Sequence, residues 1–112
     1  MYKDDTIYLE HILERAQKII QFTQNMNESD FLDDEKTQSA VIRELEVIGE
    51  AAKRISDTYK SKHSEIPWKL MSGMRDVLIH DYEGVDPYTV WDTVQQNIPV
   101  LIEQLQKGFN QK

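Results

Sequence analysis

"AVIRELEVIGEAAKRIS", residues 40–56, is the stretch that decides the fold. Val41, Leu45, Ile48, Ala52 and Ile55 recur at steps of three and four, and Tyr59 extends the series. At about 100° per residue these positions draw one apolar stripe along an α-helix. That spacing packs nearly antiparallel helices against one another. The pattern predicts a helix over roughly 34–59. Gly49, with Ala51 and Ala52, stands in its middle, where glycine costs about 1 kcal/mol relative to alanine. Close helix packing explains it, and small residues there also let a facing helix bring long polar side chains near the backbone.

Working outward, an earlier stripe of Leu9, Ile12, Leu13, Ala16, Ile19 and Ile20 predicts a helix capped by Asp5 and running to about Gln24. "NMNESDFLDD" (25–34) interrupts it with cap-forming and acidic residues, and Phe31 and Leu32 are expected to tuck a short turn against the core. "KSKHSEIP" (60–67) breaks the chain again. Pro67 suits the first turn of a third helix reaching about Tyr82, and Gly84 ends it. Asp86 caps and Pro87 opens a fourth helix with the stripe Val90, Val94, Ile98, Leu101 and Leu105, continuing toward Phe109. Pro99 inside it removes an intrahelical hydrogen bond and should kink it. No repeat, low-complexity tract or alternating strand pattern appears. The expectation is all-α: an antiparallel, up-down-up-down four-helix bundle with a kinked C-terminal helix, one domain over 1–112.

The chain has no cysteine, so neither a disulfide framework nor a thiolate metal site is expected. "MYKDDTIYLE" at the start has no basic segment followed by an apolar run, and no stretch approaches the roughly 18 apolar residues of a membrane span. A soluble, cytoplasmic protein without a membrane partner is the expectation. The formal net charge of −7 argues against coating nucleic acid through many phosphate contacts, and DNA is not an expected partner. The balance is uneven: residues 1–52 hold 5 Lys/Arg against 12 Asp/Glu, residues 53–80 hold 6 against 3, and residues 81–112 hold 2 against 5. The one net positive segment leads into the most unusual stretch of the chain.

That stretch is "MRDVLIHDYEGVD", residues 74–86, which sets Arg75, Asp76, His80 and Tyr82 among Met74, Val77, Leu78 and Ile79. On a helix, Asp76 and His80 share a face at i, i+4, so the carboxylate can orient the imidazole. Arg75 and Tyr82, seven apart, share another. Arg75 and His80 diverge by about 140° and lie about 7.5 Å apart along the axis. For them to act together, the arginine curls round, the helix distorts near His80, or a second copy of the helix supplies the partner. A symmetric dimer burying this helix gathers two arginines and two histidines in one cleft, which the geometry favours. Histidine can take or give a proton near neutral pH. Arginine forks two hydrogen bonds onto a phosphate and stabilises the charge that develops there. The pair suffices for RNA cleavage without metal, the ribose 2′-hydroxyl attacking its own phosphate. A metal site is not expected: no His-x-x-x-His or Glu-x-x-His pair exists. Glu46 and Glu50 read as a solvated face, and His11 and His63 as lone surface residues. No glycine-rich phosphate loop or Gly-x-Ser-x-Gly is present.

"RDVLIHDY" (75–82) resembles the signature of the HepT-like ribonuclease toxins of the HEPN superfamily: Arg, four residues, His, one residue, Tyr. The blocks at 40–56, 66–86 ("IPWKLMSGMRDVLIHDYEGVD") and 90–105 ("VWDTVQQNIPVLIEQL") resemble family blocks in order and spacing. The resemblance implies an all-helical homodimer in which Arg75 binds and polarises the phosphate and His80 handles protons in a composite cleft, with no cofactor. It implies the toxin of a type VII (HEPN/MNT) toxin-antitoxin pair, neutralised by a minimal nucleotidyltransferase antitoxin that can transfer AMP to Tyr82, placing a bulky anion in the RNA path. Where the superfamily often has Asn after the arginine, this chain has Asp76, which favours imidazolium at His80. A second reading keeps the fold and makes the chain a non-catalytic helical module that holds a nucleotide or docks the nucleotidyltransferase; the acidic residues 1–52 fit a partner-binding role.

Overall fold

The computed structural model describes residues 3–80 and 85–110, with side chains for 5–73, 75 and 85–108. All regular structure among them is helical: α1 (Lys3–Phe22), α2 (Glu28–Leu32), α3 (Glu35–Arg54), α4 (Asp57–Lys62), α5 (Trp68–His80), α6 (Pro87–Asp92), a π turn (Thr93–Asn97) and α7 (Ile98–Asn110). The fold is the expected all-α, HEPN-like bundle. Its long members are α1, α3, α5 and the composite α6–π–α7. α3 packs against both α1 and α5, α1 also packs on α7, and α2 closes over α3 and α6.

The three stripes meet in one core. Ile12, Ala16, Ile19, Val41, Ile48, Ala52, Val90, Val94, Leu101 and Leu105 are all buried, and burying each large aliphatic side chain contributes about 1.5–3 kcal/mol. Two members of the first stripe stand at its margin: Leu13 is half-buried and Ile20 is exposed, and buried Thr23 completes the end of α1 instead, its hydroxyl donating to the Ile19 carbonyl at 2.9 Å. Phe31 is fully buried, its ring 5.2 Å from that of Trp91. An Asn27–Asp30 capping box starts α2 and aims it inward. Arg15 of α1 and the buried Glu44 of α3 form an ion pair at 3.4 Å across the core's edge.

Two local expectations are corrected. Asp5 does not cap α1, which begins at Lys3; its buried carboxylate instead accepts from the Ser56 N–H at 2.8 Å and the Ser56 hydroxyl at 2.6 Å. These bonds join the start of α1 to the end of α3, so the two helices run antiparallel. The second helix stops at Arg54 rather than continuing to 59, because Ile55 is extended (ψ 140°) and Ser56 caps α4, accepting from the Tyr59 N–H at 3.1 Å. A hydroxyl already occupied as a cap starts a new helix in preference to extending the old one. The disturbance expected at Pro99 is present as a π turn before it: the Ile98 N–H bonds the Thr93 carbonyl, five residues back. Widening the helix there makes room for a ring that would collide with a carbonyl four residues earlier. The expected Asp86 cap is present, accepting from the Tyr88 N–H at 3.0 Å. Gly84, the expected end of α5, lies outside the described residues.

Candidate active site

α5 starts where the sequence breaks the chain. Ile66 is buried, the Trp68 indole donates to the His63 carbonyl at 2.9 Å, and the Pro67 carbonyl accepts from Met71 N–H at 3.2 Å. Anchored at that end, the helix crosses α3 at Gly49. A Cβ at residue 49 would overlap that of Arg75, standing 2.8 Å from the Arg75 Cγ and 2.9 Å from the Met71 carbonyl oxygen. The glycine that helix propensity disfavours is therefore what lets the Arg75 side chain leave α5 flush against the backbone of α3.

From there Arg75 extends along α3. Its Nη2 lies 2.9 Å from Oε2 of Glu50, while Oε1 of the same carboxylate accepts from Nη2 of Arg54 at 2.8 Å and from its Nε at 3.3 Å. One carboxylate thus receives two guanidiniums from different helices. Hydrogen bonding by Arg54 first, then the charge of Arg75, holds the Glu50 carboxyl below its usual range. Hydrogen bonding to Glu50, then to Tyr8, raises the Arg54 guanidinium above its own. Glu50, read from the sequence as part of a solvated pair with Glu46, is the residue that reasoning on one helix missed. Its signal was present as Glu50 and Arg54 at i, i+4, but its second partner, Arg75, lies 25 positions further along the chain.

These groups line an open cleft of about 300 Å³ between α1, α3 and α5. Tyr8 and His11, at i, i+3 on α1, line it together with Arg43, Glu46, Glu50 and Arg54 on α3 and Arg75 on α5. His11, expected as a lone surface residue, is exposed but belongs to this cleft. His63 is not alone either: its ring stacks on Tyr59 at 4.1 Å. Of the residues the sequence singled out, the structure brings Arg75 to Glu50 and Arg54. The backbone of α5 carries Asp76 and His80, whose side chains lie outside the described residues, as does Tyr82 entirely. Among the described residues, no helix is long and apolar enough to cross a membrane.

A helical bundle that presents an arginine fork in a cleft, on a helix that also carries a histidine, is the class of protein that the HEPN motif implies. Residues 12–108 match the family described as Ribonuclease HepT-like, and the chain belongs to that family. It is 51% identical over 100 residues to a protein of Thermococcus cleftensis named a probable ribonuclease HepT, covering 89% of this chain and 91% of that one. A Caldanaerobacter subterraneus subsp. tengcongensis protein, provisionally named an RNase, is 41% identical over 100 residues, 89% of each chain. A Methanocaldococcus jannaschii protein named as a gamma-glutamylcyclotransferase and, provisionally, an RNase is 44% identical over 107 residues, which span 96% of this chain but 48% of that one. No solved structure gives a significant match.

Proposed function

We propose that the chain is a ribonuclease that cleaves RNA without a metal ion, as the toxin of a HEPN/MNT toxin-antitoxin pair. The observation that carries this reading is the Arg75 side chain, whose stem is seated over Gly49 and whose guanidinium is held by Glu50 at 2.9 Å, on the helix that runs to His80 in a chain of the HepT-like family. In the reaction, His80 removes the proton from the ribose 2′-hydroxyl. O2′ forms a bond to phosphorus as the bond to O5′ breaks. A protonated His80 from the partner protomer gives its proton to the departing O5′, leaving a 2′,3′-cyclic phosphate and a 5′-hydroxyl. Arg75 binds the non-bridging oxygens, whose charge grows in the transition state. Asp76 supports His80 by favouring the imidazolium. The homodimer follows from the divergence of about 140° between Arg75 and His80 on one helix, which a second copy resolves. The minimal nucleotidyltransferase antitoxin neutralises the protein by transferring AMP to Tyr82.

The test is a small RNA incubated with purified protein and excess chelator. Products ending in cyclic phosphate, lost in both Arg75→Ala and His80→Ala while helical circular dichroism is retained, bear the reading out. Undiminished cleavage by either variant overturns the assignment. Sedimentation at micromolar concentration reads the dimer. Mass spectrometry after incubation with the nucleotidyltransferase and ATP reads additions in multiples of AMP, absent from Tyr82→Phe.

A further inference from the structure

The cleft beside Arg75 is larger than one phosphate needs, and its lining is selective. The chain has four arginines, and three of them, Arg43, Arg54 and Arg75, line it beside two carboxylates, Glu46 and Glu50. The fourth, Arg15, is held by Glu14 and Glu44. Arginine is the side chain whose planar fork matches phosphate oxygens, and a protein of net charge −7 cannot hold a polyanion over a broad surface. Whatever cationic contact it makes must be concentrated, and this is where its arginines converge. The carboxylate of Glu50 already shows the aim of two of them: one oxygen meets Arg54 and the other meets Arg75, so both forks point at one anionic group. Tyr8 lines the same space, half-buried, with its side chain packed at the edge of the core and its hydroxyl bonded to Arg54.

We propose that this cleft seats the nucleotide of single-stranded RNA that adjoins the scissile phosphate, the base stacking on Tyr8 and Arg43 binding the flanking phosphate. The inference rests on the ribonuclease reading above. A volume of about 300 Å³ has room for one nucleotide. Bases are free to stack on a side chain only when the strand is unpaired. Stacking is tolerant of base identity, so this subsite sets affinity and strandedness more than sequence.

The experiment uses a short fluorescent RNA with every 2′-hydroxyl methylated, which cannot be cut, so binding is read by anisotropy independently of activity. Tyr8→Ala weakens binding about tenfold, whereas Tyr8→Phe, which keeps the ring, stays close to the parent. Arg43→Ala weakens binding and reduces the slope of log K against log salt by about 0.7, the value for one phosphate contact on a single strand. A duplex of the same sequence binds more weakly than the single strand. Arg43 is exposed, so its variant keeps the fold whatever happens to Tyr8→Ala. If both alanine variants bind like the parent, with unchanged salt slope, the subsite is overturned, while cleavage of unmodified RNA by the parent keeps the ribonuclease reading. If the parent binds methylated RNA through Tyr8 and Arg43 yet cuts nothing, the ribonuclease reading fails, and with it the place of this nucleotide beside a scissile phosphate, while single-strand binding by the cleft stands. A parent that neither binds nor cuts overturns both.

Discussion

Gly49 and Arg75 share one space: the Cβ and Cγ of the arginine lie where a side chain at residue 49 would stand. The crossing of α3 and α5 is set by that absence, and the position of the cationic fork follows from the crossing.

Gly49→Ala tests this directly. Alanine gains about 1 kcal/mol of helix propensity, but overpacking against Arg75 and the Met71 carbonyl costs about 1–3 kcal/mol. Because the Met71 oxygen is backbone and cannot swing aside, the net effect is destabilising. Urea unfolding will show a lower midpoint with an unchanged slope, and RNA cleavage will fall more than stability alone accounts for.

Glu50→Gln separates positioning from attraction. Without the charge that orients Arg75, kcat falls on the order of tenfold to a hundredfold, the cost of misplacing the group proposed to bind the phosphate. KM does not rise, since an anion has been removed beside two guanidiniums. Acid reproduces the effect. The folded-state carboxyl is held below the usual value of 4.5 by Arg54 and Arg75, so its pairing is fully present above that pH and is lost as pH falls through the lower, folded-state value. Steady-state kinetics of the variant and a pH series of Arg75 Nε–H resonances check the two parts.

Asp5→Ala removes the acceptor of two bonds from Ser56, at 2.8 and 2.6 Å, at a buried position. Hydrogen bonds to a charged group contribute about 1.5–3 kcal/mol, so denaturant unfolding should lose about that much. The change leaves the cleft's lining intact, and specific activity at low temperature should be retained.

Tyr59 governs an alkaline limit. Burial, then the charges of Glu65 and Asp5, raise its phenol above the usual 10.0. The folded protein therefore holds this proton more tightly than the unfolded chain does. The resulting stability is fully present below pH 10.0 and is lost as pH rises through the folded-state value. Tyr59→Phe keeps the ring stacked on His63 and edge-on to Trp68, and its stability will decline less steeply above that pH.

Where a signal depended on neighbours along one helix, the sequence carried it. The stripes on α1, α3 and α7, the Asp86–Pro87 start and the disturbance at Pro99 are all functions of residues three to five apart. The family motif around Arg75 is equally local. Asp5 was legible as a cap-forming residue but not as the partner of Ser56, 51 positions away. Apolar spacing carried the helix through Ile55 to Tyr59, and the Ser56 cap that ends it, although local, was outweighed by that stripe.

By itself the sequence determined which segments are helical, which faces they bury and which arginine and histidine share a helix, because periodicity and capping act over one or two turns. Only the tertiary structure decided that Glu50 orients Arg75, that Gly49 admits it, and that Arg43, Arg54, Tyr8 and His11 line the same cleft. Those relations depend on how α1, α3 and α5 cross, and crossing is set by side-chain volumes summed over the whole interface rather than by any single stretch of chain.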